Sequence, residues 1–583
     1  MLPQAHRLLL LTETVCRLGP SPVFRLARHR ASLRLGWAAR SLADAAIPAG
    51  SFLAAHHPGR APADPGPLGV VAAGLAAPDC HGGFDPAAPA LSLDLFAAGD
   101  VRPVWEANRW AELPLLAQAH RLEPEGGHLA RAEAWLRRWC QANPPFRGPN
   151  WACGQEAALR LLHLALAWRL LGGAPPSSGL RALVALHRRR IAATRAYAAA
   201  QDNNHAVSEP AGLLAGALLL GEDPAPAAGE VAAALRRLVA PDGGFAQLST
   251  GYHRLLLDVL SVVEWLRRET GAAPFPAPFA DRAAAATRWL ARLAAPGSGA
   301  LPRLGHQDGS RLADLSLAGE ASARGSLERA ARLFLGASAG WPEDPGCDWL
   351  GLPPGPPLAR EARWTAAGST GWSLEDARAL LRTGPLRFRP GHSDLLHLDL
   401  WDGPVNLIRD GGTLSYNPAP ASRALAAWME DAAGHNAVLF DGAEPMARIG
   451  RFLRARWSPS GPLPAGGWRR DRAGNRHERE IGAEGRRWVV TDRLSGRFRQ
   501  ASLCWRLAPA AWDTVPGGVV SPLARITLAS DAALEVTLGE APEADRYGQW
   551  RMVPALHARV AGPAGRIVTS IDLPRRTPPP VVA

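Results

Sequence analysis

Apolar residues recur at intervals of three and four between residues 104 and 335, which is the spacing of one buried helical face. The pattern predicts helices over residues 104–122, 129–140, 157–171, 180–200, 211–220, 231–239, 255–268, 283–293 and 327–335. Loops of a few residues separate many of these segments, and no repeat of fixed length is present. A long series of antiparallel helix pairs is typical of a bundle, a solenoid or a closed α/α toroid.

The pattern changes after a stretch rich in glycine and proline, which predicts a linker. Short and partly alternating apolar runs follow it, bounded by turn residues, as in antiparallel strands. These runs cover residues 377–382, 395–401, 405–409, 437–440, 488–492, 501–507, 526–529 and 567–571. We therefore expect an antiparallel β-sandwich in this half of the chain.

A length of 583 residues is too great for a single core, so several domains are expected. The four predicted segments are a helical and loop segment (1–100), an α/α toroid (101–340), a linker (341–361) and a β-sandwich (362–583). A cleft between the helical and sheet layers is the expected ligand site.

The basic residues narrow the choice of partner. The net charge is +12, and all 65 basic residues are arginine, because the sequence contains no lysine. Arginine favours an anionic partner, since its planar guanidinium binds carboxylate, sulfate or phosphate through two hydrogen bonds. Without lysine there is no Schiff-base chemistry and no Walker-type phosphate loop. The arginines are dispersed and no finger, zipper or RNA-recognition motif occurs, which argues against nucleic acid.

The six cysteines are scattered without a Cys-x-x-Cys pair, which argues against a disulfide scaffold and a thiolate zinc site. The apolar run at residues 8–11 is too short for a standard export signal, and no stretch is long enough to span a membrane. We therefore expect a cytoplasmic protein by default. A periplasmic or exported location and the oligomeric state stay open.

An unusual polar run, Asp202-Asn203-Asn204-His205-Ala206-Val207-Ser208-Glu209, separates two apolar helical segments. Buried polar groups cost free energy unless they are hydrogen-bonded, so such a set favours a functional site. On a helix, His205 and Glu209 share one face. Capping is the alternative, and it accounts for Asp202 or Asn203 but not for the whole run.

Tyr252 is one of only four tyrosines and lies in a Gly-Tyr-His triplet where a helix is predicted to begin. The positive field of a helix N-terminus favours a phenolate, which is the form that a tyrosine base needs. The alternative is a tyrosine that packs at a helix end. Upstream, Glu156 and Arg160 are spaced for an i,i+4 ion pair, and Trp105 offers a stacking surface for a sugar ring.

In the second half of the chain, His392, Asp410 and His435 provide two imidazoles and one carboxylate, a set that suits zinc. Their wide spacing leaves separate loop histidines as the alternative.

The order of the motifs Gly-x-Asn-Trp…Glu…Arg, Asn-Asn-His, Gly-Tyr-His, His-x-Asp, Asp-x-Gly-Thr and His-Asn resembles the heparinase II/III family of polysaccharide lyases, which includes alginate lyases. The resemblance covers residues 100–570. It implies an α/α toroid followed by an antiparallel β-sandwich, with an anionic polysaccharide bound between them. It also implies β-elimination beside the carboxylate of a uronic acid.

The resemblance implies roles for individual residues. Asn204 and His205 correspond to the carboxylate-neutralising and proton-handling pair, Tyr252 to the catalytic tyrosine, and Glu209 to a residue that orients His205. The expected substrate-binding residues are Asn150, Trp151, Arg160, Trp105, His253 and Tyr416. The resemblance implies one structural zinc ion on His392, Asp410 and His435, and no organic cofactor.

Two departures from the family pattern leave alternatives open. Pro390 stands where catalytic members carry the first histidine of a His-x-His-x-Asp run, and His397 has an odd offset from His392 that would place it on the other face of a strand. Tyr416 is the only nearby candidate for a second tyrosine acid/base.

A non-catalytic or biosynthesis-associated polysaccharide-binding protein is therefore one alternative to the lyase. A glycoside hydrolase that uses Glu209 and Asp202 is another.

Overall fold

The structure is a computed structural model that describes residues 4–57, 59, 61, 62, 67–563 and 565–575. Its helices are α1 (Gln4–Leu18), α2 (Pro20–Arg34), α3 (Trp37–Ser41), α4 (Leu68–Gly74), α5 (Arg102–Ala107), α6 (Glu112–Leu122), α7 (His128–Ala142), α8 (Gly154–Leu170), α9 (Ser178–Ala193), α10 (Arg195–Ala200), α11 (His205–Leu220), α12 (Ala225–Leu238), α13 (Thr250–Glu269), α14 (Phe279–Leu293), α15 (Arg324–Leu335), α16 (Pro345–Trp349) and α17 (Arg423–Glu430).

The helical half is built around α8, which packs against α6, α9, α11 and α13. All residues of α8 except Arg169 are buried, because neighbouring helices surround it. Two predicted helices are each divided in the structure. Residues 104–122 break at Trp110, which has a φ of 64°, and residues 180–200 break at Thr194. The remaining predicted helices each correspond to one helix of the structure.

The second half contains the strands β1 (Arg363–Ala366), β2 (Ser369–Leu374), β3 (Ala377–Arg382), β4 (Leu398–Asp402), β5 (Val405–Ile408), β6 (Val438–Phe440), β7 (Ala447–Gly450), β8 (Leu453–Ala455), β9 (Ser460–Leu463), β10 (Gly466–Arg470), β11 (Arg476–Glu484), β12 (Arg487–Ser495), β13 (Gln500–Arg506), β14 (Asp513–Val515), β15 (Gly518–Val520), β16 (Arg525–Ser530), β17 (Leu534–Arg546), β18 (Gln549–Ala561) and β19 (Arg566–Asp572).

The strands pair antiparallel throughout the named ladders. They form an eight-stranded sheet (β14-β15-β16-β19-β12-β11-β10-β9), a five-stranded sheet (β1 to β5), a four-stranded sheet (β17-β18-β13-β6) and a small β7–β8 hairpin. Strands β11 and β12 alternate between buried and more exposed residues, as expected when one face covers a core. One apolar cluster contains Trp488 of β12 and Trp505 of β13, and so joins two of the sheets. The predicted fold class, a helical toroid followed by an antiparallel sandwich, is confirmed.

Helices α1 to α4 lie in the predicted helical and loop segment of residues 1–100, whereas α17 lies in the half predicted to be a sandwich. Helices α1 and α2 form an N-terminal hairpin, and α17 interrupts the sandwich between β5 and β6. The predicted linker at 341–361 contains the short helix α16. In the ranges that the structure describes, no helix is long and apolar enough to cross a membrane.

Candidate active site

A cleft of about 490 Å³ lies between the helical domain and the sandwich. The helical domain contributes Asn204, His205 and Tyr252 to its lining, and the sandwich contributes Arg389 and Tyr416. The principal residues predicted for catalysis therefore share one cavity, at the junction where a ligand site was expected.

Tyr252 is positioned by the start of α13. Ser249 caps this helix, and its hydroxyl accepts a hydrogen bond from the Tyr252 amide at 3.1 Å. The Tyr252 hydroxyl donates to Oδ2 of Asp308 at 2.7 Å. It also lies 3.1 Å from the hydroxyl of Tyr416. A tyrosine from each domain thus meets above one buried carboxylate.

The expectation that the helix terminus favours a phenolate at Tyr252 is wrong. Burial raises the pKa of Tyr252 well above its usual value, and the negative charge of Asp308 raises it further. A helix terminus contributes only about 0.3–1 kcal/mol at ordinary sites, so it does not offset burial and a carboxylate in direct contact. Tyr252 is therefore a protonated phenol, suited to donating a proton.

Asp308 and Arg102 are parts of the site that the sequence analysis missed. Nε of Arg102 donates to Oδ2 of Asp308 at 2.8 Å, and Nη2 donates to Oγ of Ser310 at 2.9 Å. Burial alone would raise the pKa of Asp308, but the Arg102 charge outweighs it and holds this pKa below its usual value. Asp308 is thus an ionised acceptor for the Tyr252 hydroxyl. Its only sequence signal is a polar run in an irregular segment, Gly305-His306-Gln307-Asp308.

Asn204 is held by a second missed residue, Gln155. Oε1 of Gln155 accepts a hydrogen bond from Nδ2 of Asn204 at 2.6 Å and one from the Ser208 hydroxyl at 3.0 Å. The Asn204 backbone amide donates to Oε1 of Gln247 at 3.2 Å. The bond to Gln155 orients the Asn204 side chain and leaves the second hydrogen of Nδ2 for a ligand, while the bond to Gln247 holds the backbone at the start of α11.

Glu209 lies one helical turn after His205 on α11, and the two side chains are in contact, as predicted. Nδ1 of His205 lies 3.2 Å from Oε1 of Glu209, so Nε2 is the imidazole nitrogen left for the cleft. Asn203 accepts from the His205 amide at 3.1 Å. Asp202 makes a two-bond ion pair with Arg237, both bonds at 2.7 Å. Asp202, Asn203 and Glu209 therefore support their neighbours and also line the cleft together with Asn204 and His205.

Four of the predicted substrate-binding residues cannot contact a ligand. Asn150, Trp151, Arg160 and His253 are each at most 1% exposed, and none lines the cleft. Arg160 donates to the Asn150 carbonyl at 2.7 Å, and its guanidinium lies 4.7 Å from the ring centroid of Trp139. These residues support the inner helices of the toroid.

His253 stacks on Trp289 with ring centroids 4.5 Å apart, and its Nε2 lies 2.9 Å from the Ala286 carbonyl oxygen. This packing places its ring in the helical core, on the side of α13 away from substrate.

The expected ion pair of Glu156 with Arg160 is also wrong. Glu156 instead accepts two hydrogen bonds from Arg109, at 2.7 and 2.8 Å, because Arg109 approaches from the neighbouring loop. Trp105 does line the cleft, as expected of a sugar-stacking residue, and its Nε1 donates to the Pro149 carbonyl at 2.9 Å.

Tyr416 is fixed from the sandwich side. Its amide donates to the Tyr547 hydroxyl at 2.7 Å, and that hydroxyl donates to Oδ2 of Asp100 at 2.5 Å. Burial raises the pKa of Tyr416 well above its usual value, and Asp308 contributes to the rise. Both tyrosines are therefore protonated in the absence of substrate.

Pro390 replaces a family histidine, but another histidine, His306, lies next to this position and lines the cleft. A Cβ atom on Gly391 would overlap the imidazole of His306, so this glycine permits the close approach. The His306 ring packs edge-on against Tyr416 at 5.4 Å and lines the cleft. His397 does not line it, as expected, but the reason differs from the one predicted. It precedes β4 in a turn, and its Nε2 lies 3.5 Å from Oδ2 of Asp410.

The three predicted metal ligands converge. Donor atoms of His392, Asp410 and His435 all lie within 4.8 Å of one another, and all three residues are buried. Nδ1 of His392 and Nε2 of His435 have no protein partner in the described part of the chain. Two buried imidazole nitrogens without partners and one carboxylate fit a zinc ion. A second group, His306, His392 and Glu430, has the same donor spacing and shares His392.

The loops that carry the candidate metal ligands are linked directly to the segment Gly305-His306-Gln307-Asp308. Thr413 Oγ1 lies 3.4 Å from Nε2 of His392 and accepts from the Gln307 amide at 3.0 Å. Gln307 stands between His306 and Asp308. The position of Asp308 therefore depends on the same sandwich loops that carry the metal ligands.

Comparison with known proteins agrees with this architecture. Residues 357–577 match the family described as heparinase II/III-like, C-terminal. A heparinase III gene product has a similar structure, with a TM-score of 0.59 and 15% identity over 82% of this chain and 80% of its own. Another heparinase III has a TM-score of 0.58 and 12% identity, over 81% and 77%.

Heparan sulfate lyase HepC from Pedobacter heparinus has a TM-score of 0.54 and 15% identity, over 82% of this chain and 77% of its own. The sequence has no significant match among curated proteins. The sandwich of this chain therefore matches the C-terminal domain of the heparinase II/III-like family, and the chain as a whole has the fold of the heparinase III structures.

Proposed function

We propose that this protein is a polysaccharide lyase that cleaves an acidic, uronate-containing polysaccharide by β-elimination. The observation that carries the proposal is the meeting of the Tyr252 hydroxyl with Tyr416 and Asp308 in the cleft that Asn204 and His205 also line. β-Elimination needs a donor for the uronate carboxylate, a base for the neighbouring C–H proton, and an acid for the leaving oxygen. The cleft offers one group for each task.

The roles follow from the hydrogen bonds already made. The free amide hydrogen of Asn204 binds the uronate carboxylate and stabilises the charge that develops there. Nε2 of His205 takes the proton from the carbon next to the carboxylate, while Glu209 holds Nδ1. Electrons of the broken C–H bond form the carbon–carbon double bond, the glycosidic C–O bond breaks, and Tyr252 protonates the leaving oxygen. No water is added.

Tyr416 relays a proton between Tyr252 and solvent, and the cycle closes when His205 releases its proton to solvent and the tyrosine pair takes one up. The Tyr416 hydroxyl lies 3.1 Å from that of Tyr252, close enough to pass a proton to it after the leaving oxygen has been protonated. Arg102 keeps Asp308 ionised throughout, so the carboxylate orients the Tyr252 hydroxyl and does not compete for its proton.

A structural zinc ion on His392, Asp410 and His435 is part of the proposal. When bound, it would fix three loops of the sandwich by coordination. Through Thr413 and Gln307, those loops carry Asp308 and His306. The ion therefore supports the site from outside the cleft.

The proposed substrate class rests on the positive charge in the cleft and on the substrate named for one similar structure. Heparinoids, alginate-like polymers and acidic exopolysaccharides all carry the uronate that Asn204 and His205 require. One similar structure is described as a heparan sulfate lyase. Arg389 lines the cleft from the sandwich and adds positive charge for a polyanion.

The experiment is to mix purified protein with heparan sulfate, alginate and polyglucuronate and to record ultraviolet absorbance of unsaturated ends. We expect absorbance to rise with at least one polymer and Tyr252→Phe to abolish the rise. Binding to a polymer without unsaturated product would support the non-catalytic alternative that Pro390 suggested. Saturated products would indicate hydrolysis, which the geometry disfavours because Arg237 already holds the Asp202 carboxylate.

A further inference from the structure

One end of the cleft is closed by segments that extend from one domain to the other. The closing segments are the hairpin of α1 and α2, residues 90–100, and the β7–β8 hairpin. We call these three segments the end wall. Residues from each line or border the cleft, including Leu33 of α2, Phe96 and Phe452.

The α1–α2 hairpin contacts both domains. On the helical side, His29 of α2 stacks on Tyr197 with ring centroids 4.7 Å apart, and Arg25 donates to the Ala199 carbonyl at 3.1 Å. On the sandwich side, α1 contacts β7 and β8, and the Arg17 guanidinium lies 5.4 Å from the ring centroid of Trp457. The hairpin therefore bridges the two walls of the cleft.

Residues 90–100 form a second bridge beside the first. Asp100 accepts from Ser415 and Tyr547 of the sandwich, each at 2.5 Å. The side-chain Nδ2 of Asn417 donates to the carbonyls of Phe96 and Gly99, at 3.0 and 2.6 Å. These charge-assisted and backbone hydrogen bonds fix the segment across the cleft.

The end wall reaches the reacting groups. Phe452 stands at the tip of the β7–β8 hairpin, and its ring lies 5.1 Å from that of Tyr416 and 5.5 Å from that of His306. A polymer that continued in this direction would have to pass through the space that Phe452 and α2 occupy. The cleft therefore has room for a chain terminus at this side of Tyr416.

A second cavity lies beyond the cleft. It has a volume of about 410 Å³, and Arg25, Arg28 and Arg237 line it. Asp202 and Glu209 line both cavities, and α2 contributes residues to both. Helix α2 therefore forms part of the wall of both cavities.

We infer that the enzyme acts on chain ends: the end wall makes the cleft a pocket for the terminus of a uronate polymer, so that cleavage is exolytic. This inference rests on the proposed lyase function. Phe452 is its specificity-determining residue, and the α1–α2 hairpin is the barrier that excludes internal segments of a polymer.

The first test follows product size and viscosity during digestion of whichever polymer of the panel, heparan sulfate, alginate or polyglucuronate, is cut fastest. An exolytic enzyme releases one small unsaturated product from the start while viscosity falls slowly. A ladder of intermediate oligosaccharides with early loss of viscosity would overturn the inference while leaving the lyase proposal standing.

The second test does not depend on turnover. Tyr252→Phe protein is titrated with short and long fractions of the same three polymers, and bound protein per polymer chain is measured by analytical ultracentrifugation. End binding predicts a ratio that does not rise with chain length. A ratio that grows in proportion to length would contradict the inference even if no lyase product is found.

Variants then locate the barrier. Phe452→Ala and a chain lacking residues 2–35 should both produce more intermediate oligosaccharides than the parent enzyme. Phe452 is 39% exposed, so Phe452→Ala should leave the core intact. This variant therefore still tests the barrier if the truncated chain fails to fold. Trp550→Ala is the matched control, because Trp550 is an exposed aromatic residue of β18 outside the cleft. A product pattern in Phe452→Ala identical to that of the parent and of Trp550→Ala would remove Phe452 from the barrier.

Discussion

The hydroxyl of Tyr252 lies 2.7 Å from Oδ2 of Asp308, the same oxygen that Nε of Arg102 reaches at 2.8 Å. One buried carboxylate oxygen thus receives a cationic donor and a phenol at once. The cation keeps Asp308 ionised, and the ionised carboxylate keeps Tyr252 protonated. In the proposed lyase mechanism, this arrangement assigns the role of acid to Tyr252 and the removal of the C–H proton to another group.

Tyr252→Phe should lower kcat by about 10²–10⁴-fold, the range for loss of one general acid. The phenyl ring keeps the packing, and Arg102 still pairs with Asp308, so stability should fall by only about 1 kcal/mol. Initial rates of unsaturated-product formation and urea unfolding measure the two effects. Tyr197→Phe is the matched control, since this residue also lines the cleft and keeps its ring against His29. A Tyr252→Phe variant with the parent kcat would refute the role.

Asp308→Asn should move the alkaline limb of the pH–kcat profile to lower pH. The negative charge of Asp308 raises the pKa of Tyr252. Removing it therefore lowers that pKa, and the phenol loses its proton at a lower pH. Asp44→Asn, at an exposed carboxylate, should leave the profile unchanged. A shift toward higher pH would contradict the assignment of Tyr252 as the acid.

Gln155→Ala should weaken catalysis through Asn204, because Gln155 fixes the Asn204 amide at 2.6 Å. We expect Asn204→Ala to reduce kcat by about 10²–10³-fold, as for a lost charge-stabilising donor, and Gln155→Ala to reduce it less. The double variant should be no worse than Asn204→Ala alone, since Gln155 acts only through Asn204. Ser208→Ala is the control, because it removes the other donor to Gln155. Additive losses in the double variant would show that Gln155 acts independently.

The sequence predicted the helices and several strands well because their apolar residues repeat with a clear period. It missed strands such as β17, whose buried and exposed residues do not follow a simple alternation. The resemblance of its motifs to a known family placed Asn204, His205 and Tyr252 in one site, and the structure shows that all three line one cleft.

Asp308 could not be found in this way. It lies in an irregular segment without periodicity, and its partners Tyr252 and Arg102 are 56 and 206 residues away in the chain. The buried group around Arg160 was misassigned for a related reason. Polar residues in a buried hydrogen-bond network look the same in sequence as polar residues that face a ligand, and only packing distinguishes them.

Acid stability should depend on Asp492, a carboxylate buried in the sandwich. Burial raises its pKa, but Arg479 at 2.7 Å and His477 at 2.6 Å lower it to about 2. A depressed carboxyl pKa gives stability that is full above the unfolded-state pKa of about 3.9 and is lost as pH falls through about 2. This contribution amounts to about 2 kcal/mol.

Asp492→Asn should therefore lower the free energy of unfolding at neutral pH and flatten its decline with acid. Urea titrations across the acid range measure both. Asp572→Asn is the control, since its pair with Arg487 is long, at 3.7 Å, and exposed. Equal acid sensitivity in Asp492→Asn and the parent would contradict this account.

Zinc removal should destabilise the site before it unfolds the domain. His392→Ala removes one of the two buried imidazoles with an unpartnered nitrogen, so we expect metal content to fall from one zinc per chain to near zero by elemental analysis. The melting temperature should fall with it, because coordination free energy is part of the folding free energy. Activity should fall as well, since Thr413 connects His392 to Gln307 and thus to Asp308.

Chelator treatment of the parent should reproduce all three losses, and added zinc should reverse them only in the parent. His557→Ala, on β18 outside the cluster, is the matched control. Full metal content in His392→Ala, or activity and melting unaffected by chelator, would refute the structural zinc.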